Sequence, residues 1–321
     1  MSEFISPIAP LTCAFIAFRK ASGRWNEASY EVNLSLFDKY CVKHFPNVSE
    51  LSQDMVDSWC AQRKTETNNS CRSRIYPIVS FIRYLRKRGM TAVTEPAVPR
   101  KEPRDYIPHA FTKTELQNFF AACDSISADP PTEEQLSRRI TVPVFFRLLY
   151  SSGIRTNEAR ALMRGDVDLA NGVVNIRYSK GHAQHYVVLH DSMLLLMRQY
   201  DGAINKMYPN RVYFFPARKR NGGFHRASWV QQNFHKMWCQ HNGGYVVPYE
   251  LRHNYAVENI NDWTGVGFDF NAKLLYLSKS MGHSVLESTK YYYSLVPRLG
   301  DIIEAQTDES DVIPEVDYES Y

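Results

Sequence analysis

The chain has 321 residues, 44% of them hydrophobic, and a formal net charge of +4, with a mean hydropathy of -0.40. These values indicate a globular protein of roughly two domains. They exclude a membrane-spanning protein, because no apolar run reaches the roughly 18 residues that cross a bilayer. The first residues also lack the layout of a secretory signal, so we expect a cytoplasmic protein.

Cysteine usage and charge distribution further limit the possible classes of protein. The six cysteines are scattered, without a CxxC pair or zinc-site spacing, so we expect buried thiols, no metal and no cofactor. Residues 61–104 carry eleven Lys or Arg against three Glu, whereas residues 301–321 carry eight Asp or Glu and no Lys or Arg. This segregation predicts a surface that binds a polyanion and a separate acidic tail at 301–321.

Four segments within residues 1–92 have apolar residues at helical spacing: 11–21, 26–45, 50–64 and 70–89. The last segment aligns an apolar stripe from Ile75 to Leu85 and should end at Gly89, while Pro77 should kink the helix or delay its start. Basic residues beside the stripe could reach the phosphates of a polyanion, although a solvated charged helix is the alternative. The candidates for contact with a nucleic acid are Arg72, Arg74, Arg83, Arg86 and Lys87, and those for base reading are Arg72, Arg74 and Asn69.

Residues 93–109 contain four prolines and several basic residues, which predicts an extended linker that could lie along a nucleic-acid backbone. Residues 110–300 are expected to be mainly helical with one small antiparallel sheet. "VVNIRYSKGHAQHYVVLH", residues 173–190, alternates apolar and polar residues about a turn near Lys180 to Gln184, as a β-hairpin does. The predicted fold class is therefore mainly α with a small antiparallel β-sheet.

Four separated motifs carry the functional signal. In "GIRTNEARAL", an apolar helix ends at Gly153 and Arg155 precedes a new helix, which is a natural site for a phosphate. Lys180 lies in the hairpin turn. The other two motifs are "YELRHNYA", with Tyr249, Arg252 and His253, and "GHSVLESTKYYYS", with His283 and three tyrosines. Each signal is weak alone, since such residues are usually ordinary surface or core residues.

In this order and spacing, the motifs resemble those of the tyrosine recombinase (phage integrase) family across residues 110–297. The resemblance implies a helical, SAM-like core-binding domain at 1–92 that binds DNA, and a catalytic domain at 110–300. It also implies the residues that act on DNA without a metal. They are Arg155, Lys180, Arg252, His283 and Tyr292 as catalytic groups, with Glu158 in a supporting role.

Tyrosines account for two further expectations about this site. Tyr292 follows His283 by nine residues, the family spacing for the nucleophile, which leaves Tyr291 and Tyr293 as packing or rim residues. Tyr249, the sixth predicted catalytic residue, stands where the family usually has His. A phenol with a pKa near 10 is a poor general base, so Tyr249 either positions the phosphate or makes the site slower. His253 is expected to face the core or to support Glu158.

The implied function is site-specific DNA recombination through a 3'-phosphotyrosyl intermediate, as in an integrase or excisionase of a mobile element. Two alternatives are a topoisomerase of type IB and a DNA-binding protein whose catalysis is weakened. The implied partner is double-stranded DNA with specific sites, bound by a homotetramer on paired sites and by a monomer or dimer in free solution, near the nucleoid. A C-terminal helix with Ile302 and Ile303 would dock on a neighbouring subunit, or the tail would be solvated.

Overall fold

A computed structural model of the chain describes residues 4–23, 25, 27–103, 106–129, 132–177, 184–218, 223–262, 270–283 and 289. The chain divides into two compact units, Met1–Tyr106 and Ile107–Tyr321. The division falls inside the proline-rich stretch, where none of the described residues from 91 to 112 belongs to a helix or strand. Residues 301–321, the predicted acidic tail, lie outside the described residues.

The first unit is helical, as the apolar periodicity predicted. A π-helical turn at Glu27–Glu31 leads into the second of the four α-helices among its described residues. Side-chain caps start the third and fourth helices, because the hydroxyl oxygens of Ser52 and Thr67 accept hydrogen bonds from backbone N–H groups three residues on. The helices are α1 Ala9–Ala21, α2 Val32–His44, α3 Gln53–Cys60 and α4 Asn68–Arg86.

Helix α4 forms the centre of this unit. Its predicted apolar stripe is buried: Ile75, Ile78, Val79, Ile82 and Leu85. The expectation that Pro77 delays the helix is wrong, because α4 begins at Asn68, nine residues earlier. Proline lacks an N–H group, so it removes one hydrogen bond of the helix. Pro77 is buried on α4, and burial of its apolar ring offsets part of that loss.

Residues 91–103, here called the strap, pack back onto α3 and α4. Val93 is buried in the core of the helical unit, and the side-chain amide of Gln53 bonds to Thr94. The Asn69 amide donates to the Glu102 carbonyl over 2.9 Å and accepts from its N–H group. This part of the proline-rich stretch is therefore held against the helices by specific contacts.

The second unit contains seven α-helices and five short strands among its described residues. Strands β1, β2 and β3 form an antiparallel sheet in that order, and β4 pairs with β5. The helices are α5 Lys113–Asp124, α6 Glu133–Ser152, α7 Thr156–Arg160, α8 Asp191–Met207, α9 Ala227–Trp238, α10 Glu250–Asp262 and α11 Phe270–Ser280. The strands are β1 Val167–Asp168, β2 Val173–Ile176, β3 His185–Val188, β4 Pro216–Ala217 and β5 Gly223–Phe224.

Both the fold class and the hairpin prediction are confirmed. Strand β2 pairs with β3 in antiparallel register, from Val173 opposite Val188 to Ile176 opposite His185. The β4–β5 pair was not predicted, because each of its strands has only two residues. Among the thiols, Cys13 and Cys239 are exposed, so their predicted burial is wrong, while the other four cysteines are buried.

Helix α6 organises the core of the second unit, since it packs against α5, α8 and α10. Phe145 and Phe146 are fully buried on it. The helix ends at Gly153, whose φ of +63° is the left-handed conformation that favours glycine. A β-carbon there would lie 2.2 Å from the ring of Tyr255 on α10. Gly153 therefore lets α6 and α10 approach closely just before Arg155.

Candidate active site

The end of helix α11 is a tight, glycine-dependent turn. The N–H of Gly282 donates to the carbonyl of Lys279, and the N–H of His283 donates to that of Ser278, both over 2.9 Å. Gly282 has a φ of +63°. This pairing is the Schellman arrangement, in which glycine takes the left-handed position after the helix. Residues 281–283, here called the Gly-His turn, thus hold their carbonyls and the His283 side chain in fixed directions.

Arg252 links the Gly-His turn to the end of helix α6. Its guanidinium donates to the carbonyls of Gly153 and Met281, the latter over 2.7 Å. A further contact of 3.0 Å joins its Nη2 to Nε2 of His283. The side chain comes from the first turn of α10 and is only 2% exposed. Backbone carbonyls of the residues that follow helices α6 and α11 therefore orient this arginine.

Arg155 approaches the same turn from the start of helix α7. Its Nη2 donates to the carbonyl of Gly282 over 3.3 Å. The carboxylate of Glu158 accepts from the Arg155 Nη1 and from its backbone N–H, each over 2.7 Å. Glu158 is buried, whereas the Arg155 side chain remains 18% exposed. The structure thus brings Glu158 to Arg155 and leaves the arginine accessible to an anion.

His283 is half-buried beside the two arginines. A guanidinium has no acceptor, so the contact with Arg252 makes Nε2 of His283 the acceptor. The Nδ1 atom then carries the proton and donates to the hydroxyl of Thr289 over 2.7 Å. Thr289 was not among the predicted residues, although it lies within the quoted Gly-His motif. Its hydroxyl fixes the plane of the His283 ring.

Tyr249 and His253 lie at the start of helix α10. Tyr249 is 40% exposed, and its ring meets the His253 ring edge-on at 5.0 Å. Burial, with a smaller effect of the Arg252 charge, lowers the pKa of His253 to about 4. A neutral His253 that packs against Tyr249 fits a supporting role in the fold. The role of Tyr249 on a phosphate stays a prediction.

Two of the predicted catalytic residues, Lys180 and Tyr292, lie outside the described residues, together with Tyr291 and Tyr293. The strands that flank Lys180 in the sequence, β2 and β3, are both described. Of the six predicted catalytic residues, Arg155, Arg252 and His283 are brought together by described contacts.

Sequence reasoning missed two buried groups near these residues. His185, the first residue of β3, is 8% exposed and its ring packs against Gly282. Glu250, next to Tyr249, is 2% exposed, and burial raises its pKa to about 7 although its carboxylate accepts a bond from the His109 backbone. Neither had a sequence signal, since His185 follows the predicted turn and Glu250 resembles an ordinary acidic residue in a first helical turn.

The basic candidates of the first unit differ in their surroundings. Arg74 is only 7% exposed and donates to the backbone carbonyls of Trp59 and Ala61 as well as to Glu66. This burial does not fit its predicted DNA contact, and Arg74 is instead a structural residue. Arg72 donates to the Pro99 carbonyl and Arg83 pairs with Glu95 over 2.7 Å.

The remaining basic candidates are accessible. Arg86 and Lys87 are exposed at the end of α4, and Asn69 bonds to the strap.

Within the described ranges, no helix combines the length and apolar character needed to cross a bilayer. The same residues contain no group of three His, Cys, Asp or Glu that could hold a metal ion.

Comparison with protein families identifies the class. The model of the phage integrase family matches residues 110–297, more than half of the chain. The chain therefore belongs to the phage integrase family, the tyrosine recombinases that its motifs indicated.

Several curated relatives carry recombinase names. The integrase/recombinase-type protein y4rE of Sinorhizobium fredii is 29% identical over 210 residues, which is 63% of this chain and 65% of that protein. Tyrosine recombinase XerA of Thermococcus kodakarensis is 27% identical over 209 residues, 65% of this chain and 66% of that protein. The chain thus spans slightly less than two thirds of the length of these two relatives.

Solved structures share the fold. A site-specific recombinase XerH bound to its difH substrate, in a pre-cleavage complex, has a TM-score of 0.59 at 16% identity. That match covers 87% of this chain and 79% of the XerH chain. The Tn1549 transposon integrase in complex with transposon right end DNA has a TM-score of 0.57 at 11% identity, covering 93% of this chain and 98% of that chain.

Proposed function

We propose that the protein is a site-specific DNA recombinase that cuts and rejoins DNA through a covalent phosphotyrosine. The observation that carries this proposal is the convergence of Arg155, Arg252 and His283 on one turn. Two guanidinium groups, held by buried partners, provide fixed donors for a phosphodiester, and the His283 imidazole accepts from one of them and helps to orient it. The names of the relatives and family membership support the same reaction class.

The arginines stabilise the negative charge on the phosphate oxygens. Arg155 and Arg252 hold the two non-bridging oxygens, and their positive charges are most favourable in the pentavalent transition state. Because the Gly153 and Met281 carbonyls and Glu158 fix these side chains beforehand, little reorganisation is needed when DNA arrives. Loss of one such donor typically slows chemistry by about 100-fold to 1000-fold.

Tyr292 and Lys180 complete the proposed reaction. The phenol oxygen of Tyr292 forms a bond to phosphorus while the bond from phosphorus to the 5' oxygen breaks. Lys180 gives a proton to that leaving oxygen, and the phenol proton passes to water. The 5' hydroxyl of a second strand then attacks the phosphotyrosine and regenerates the phenol. Because the phosphoester bond is conserved in the intermediate, rejoining needs no ATP.

Tyr249 is proposed to position the phosphate and its surroundings rather than to act as a base. Its partial exposure and its contact with His253 leave its hydroxyl free to meet a ligand at the start of α10. A phenol can donate a hydrogen bond to an anionic oxygen, but its pKa near 10 disfavours proton abstraction at neutral pH.

The decisive experiment traps the covalent intermediate. Duplexes are first selected from a randomised pool by binding to the full chain, and the selected duplex is then made with a nick beside the cleavage position. Release of a short fragment prevents rejoining, so the wild type should accumulate an SDS-resistant adduct. Tyr292→Phe should form none, whereas Tyr291→Phe and Tyr293→Phe should still form it. An unchanged adduct in Tyr292→Phe would refute the assignment.

The proposed partner is double-stranded DNA with two copies of a recognition site, bound by a tetramer. XerH and the Tn1549 integrase are described in complexes with DNA, which supports DNA as the partner. A mobile element is the proposed source of the sites. Truncation after Gly300 should weaken pairing of two sites while single-site cleavage remains. An equal loss of both would show that residues 301–321 have no specific role in assembly.

A further inference from the structure

The ring of His185 occupies the space beside Gly282 where any other residue would place its β-carbon. An ideal β-carbon on Gly282 would lie 2.5 Å from Cε1, 2.7 Å from Nδ1 and 3.0 Å from Nε2 of that ring. Real β-carbons essentially never approach other atoms within 3.0 Å. The contact therefore exists only because position 282 is glycine, and it joins strand β3 to the Gly-His turn.

The Gly-His turn carries three of the contacts that define the candidate active site. Its Met281 carbonyl accepts from Arg252 over 2.7 Å, and its Gly282 carbonyl accepts from Arg155 over 3.3 Å. The His283 ring contacts Arg252 over 3.0 Å. A small displacement of this turn would therefore move the carbonyl acceptors of both arginines together with the His283 imidazole.

His185 is well placed to resist such a displacement. It is 8% exposed, and its backbone is paired with Ile176 in the central strand of a three-stranded sheet. Along β3, buried and exposed residues alternate, so His185 and Val187 face the same interior. The sheet gives the ring a rigid base, and the flat imidazole fills the gap over the glycine.

We propose that His185 is a positioning residue for phosphoryl transfer, which supports the Gly-His turn and through it Arg155, Arg252 and His283. This inference rests on the proposed recombinase function. His185 itself does not touch the phosphate. It holds the turn in the position in which the Met281 and Gly282 carbonyls accept hydrogen bonds from the guanidinium groups.

The first test examines the contact without any DNA. Gly282→Ala should lower the melting temperature of the wild type strongly, because the added methyl group meets the His185 ring. In a His185→Ala background that collision is absent, so the same substitution should cost at least about 4 °C less. The unfavourable φ at position 282 is common to both backgrounds. Equal losses in the two backgrounds would show that the contact has no energetic weight.

The second test measures catalysis on the selected, nicked duplex. His185→Ala should slow single-turnover formation of the covalent adduct by roughly tenfold to a hundredfold, as small misplacements of reacting groups do. The dissociation constant for the same duplex should stay within about twofold, since phosphate contacts outside the site dominate affinity. Val187→Ala is the matched control, because it also removes a buried side chain from the same face of β3.

His185 could act through the Gly-His turn or through the hairpin that donates a proton to the leaving oxygen. A duplex with sulfur in place of the 5' leaving oxygen separates these two routes. Since a thiol is far more acidic than an alcohol, this leaving group departs without a proton. A defect through the Gly-His turn should persist on the sulfur duplex. Disappearance of the defect would assign His185 to proton donation through the hairpin and would overturn the proposal, as would equal slowing in Val187→Ala.

The two proposals can fail separately. If the wild type forms no adduct with the selected duplex, the recombinase function fails, whatever the melting temperatures show. If the wild type forms the adduct and His185→Ala forms it equally fast, the recombinase function stands and the positioning role of His185 is refuted.

Discussion

Replacing Arg74 by Met should destabilise the helical unit much more than replacing Arg83 by Met. Both arginines lie on α4 and each makes two hydrogen bonds to one carboxylate, Arg74 to Glu66 and Arg83 to Glu95. They differ in burial, because the Arg74 side chain is 8% exposed and that of Arg83 is 56% exposed. The pair is therefore a matched comparison within one helix.

The expected loss of stability depends on which polar groups each substitution leaves without a donor. Without Arg74, the Glu66 carboxylate and the Trp59 and Ala61 carbonyls lose a donor in a largely buried place. Breaking such a buried pair costs about 3 to 5 kcal/mol. Glu95 instead stays in contact with water after the Arg83 substitution, so the urea midpoint should hardly change.

The same pair predicts a pH dependence. Hydrogen bonds from Arg74 lower the pKa of Glu66 from 4.5 to about 2. The unfolded chain thus binds a proton that the folded chain does not bind between these values. Stability from this group is complete above pH 4.5 and is lost as the pH falls toward 2. In Arg74→Met this acid-sensitive contribution should disappear.

Equilibrium unfolding of the full chain in urea measures these effects. Hydrogen exchange at the α4 amides of Ile78 and Ile82 assigns the change to the helical unit. If Arg74→Met and Arg83→Met shifted the midpoint equally at pH 7, burial would not be the deciding factor. The description of Arg74 as a structural residue would then be wrong.

Three further predictions concern the active site and the DNA surface. Arg252→Lys should slow adduct formation by about 100-fold or more with little change in DNA affinity, because an ammonium cannot replace a planar fork. Burial raises the pKa of Glu250 to about 7, so stability falls as the pH rises from 4.5 to 7. Glu250→Gln should therefore be more stable than wild type by about 3 kcal/mol at pH 8 and equal to it at pH 4, in urea titrations. Glu95→Gln should free Arg83 for a phosphate and steepen the salt dependence of DNA binding by about 0.9 in log–log slope; an unchanged slope would argue against that contact.

Much of the fold followed from periodicity and from glycine. The apolar stripe of α4 needed only helical spacing, because burial of one face leaves a regular record in the sequence. Gly153 marked the end of α6, since left-handed backbone strongly favours glycine. The resemblance of the motifs around Arg155, Arg252 and His283 to those of the family then implied that these side chains share one site.

Other features left no such record. Arg74 lies in a basic run and resembles its exposed neighbours, because its burial depends on a Glu66 carboxylate that the fold brings to it. His185 follows the predicted turn and belongs to no recognisable pattern. Its proposed role depends on a glycine 97 residues later in the sequence. Pro77 was expected to disturb α4, but packing in the core outweighed its local preference. Tertiary contacts decided each of these cases.

Arg155 and Arg252 are held by chemically different partners. The carboxylate of Glu158 balances part of the charge of Arg155. The carbonyls of Gly153 and Met281 are dipoles with no net charge, so they orient the guanidinium of Arg252 without neutralising it. They also belong to the main chain, which no side-chain substitution can delete. An incoming phosphate can therefore interact with the positive charge of Arg252 without displacing an anion at these two contacts.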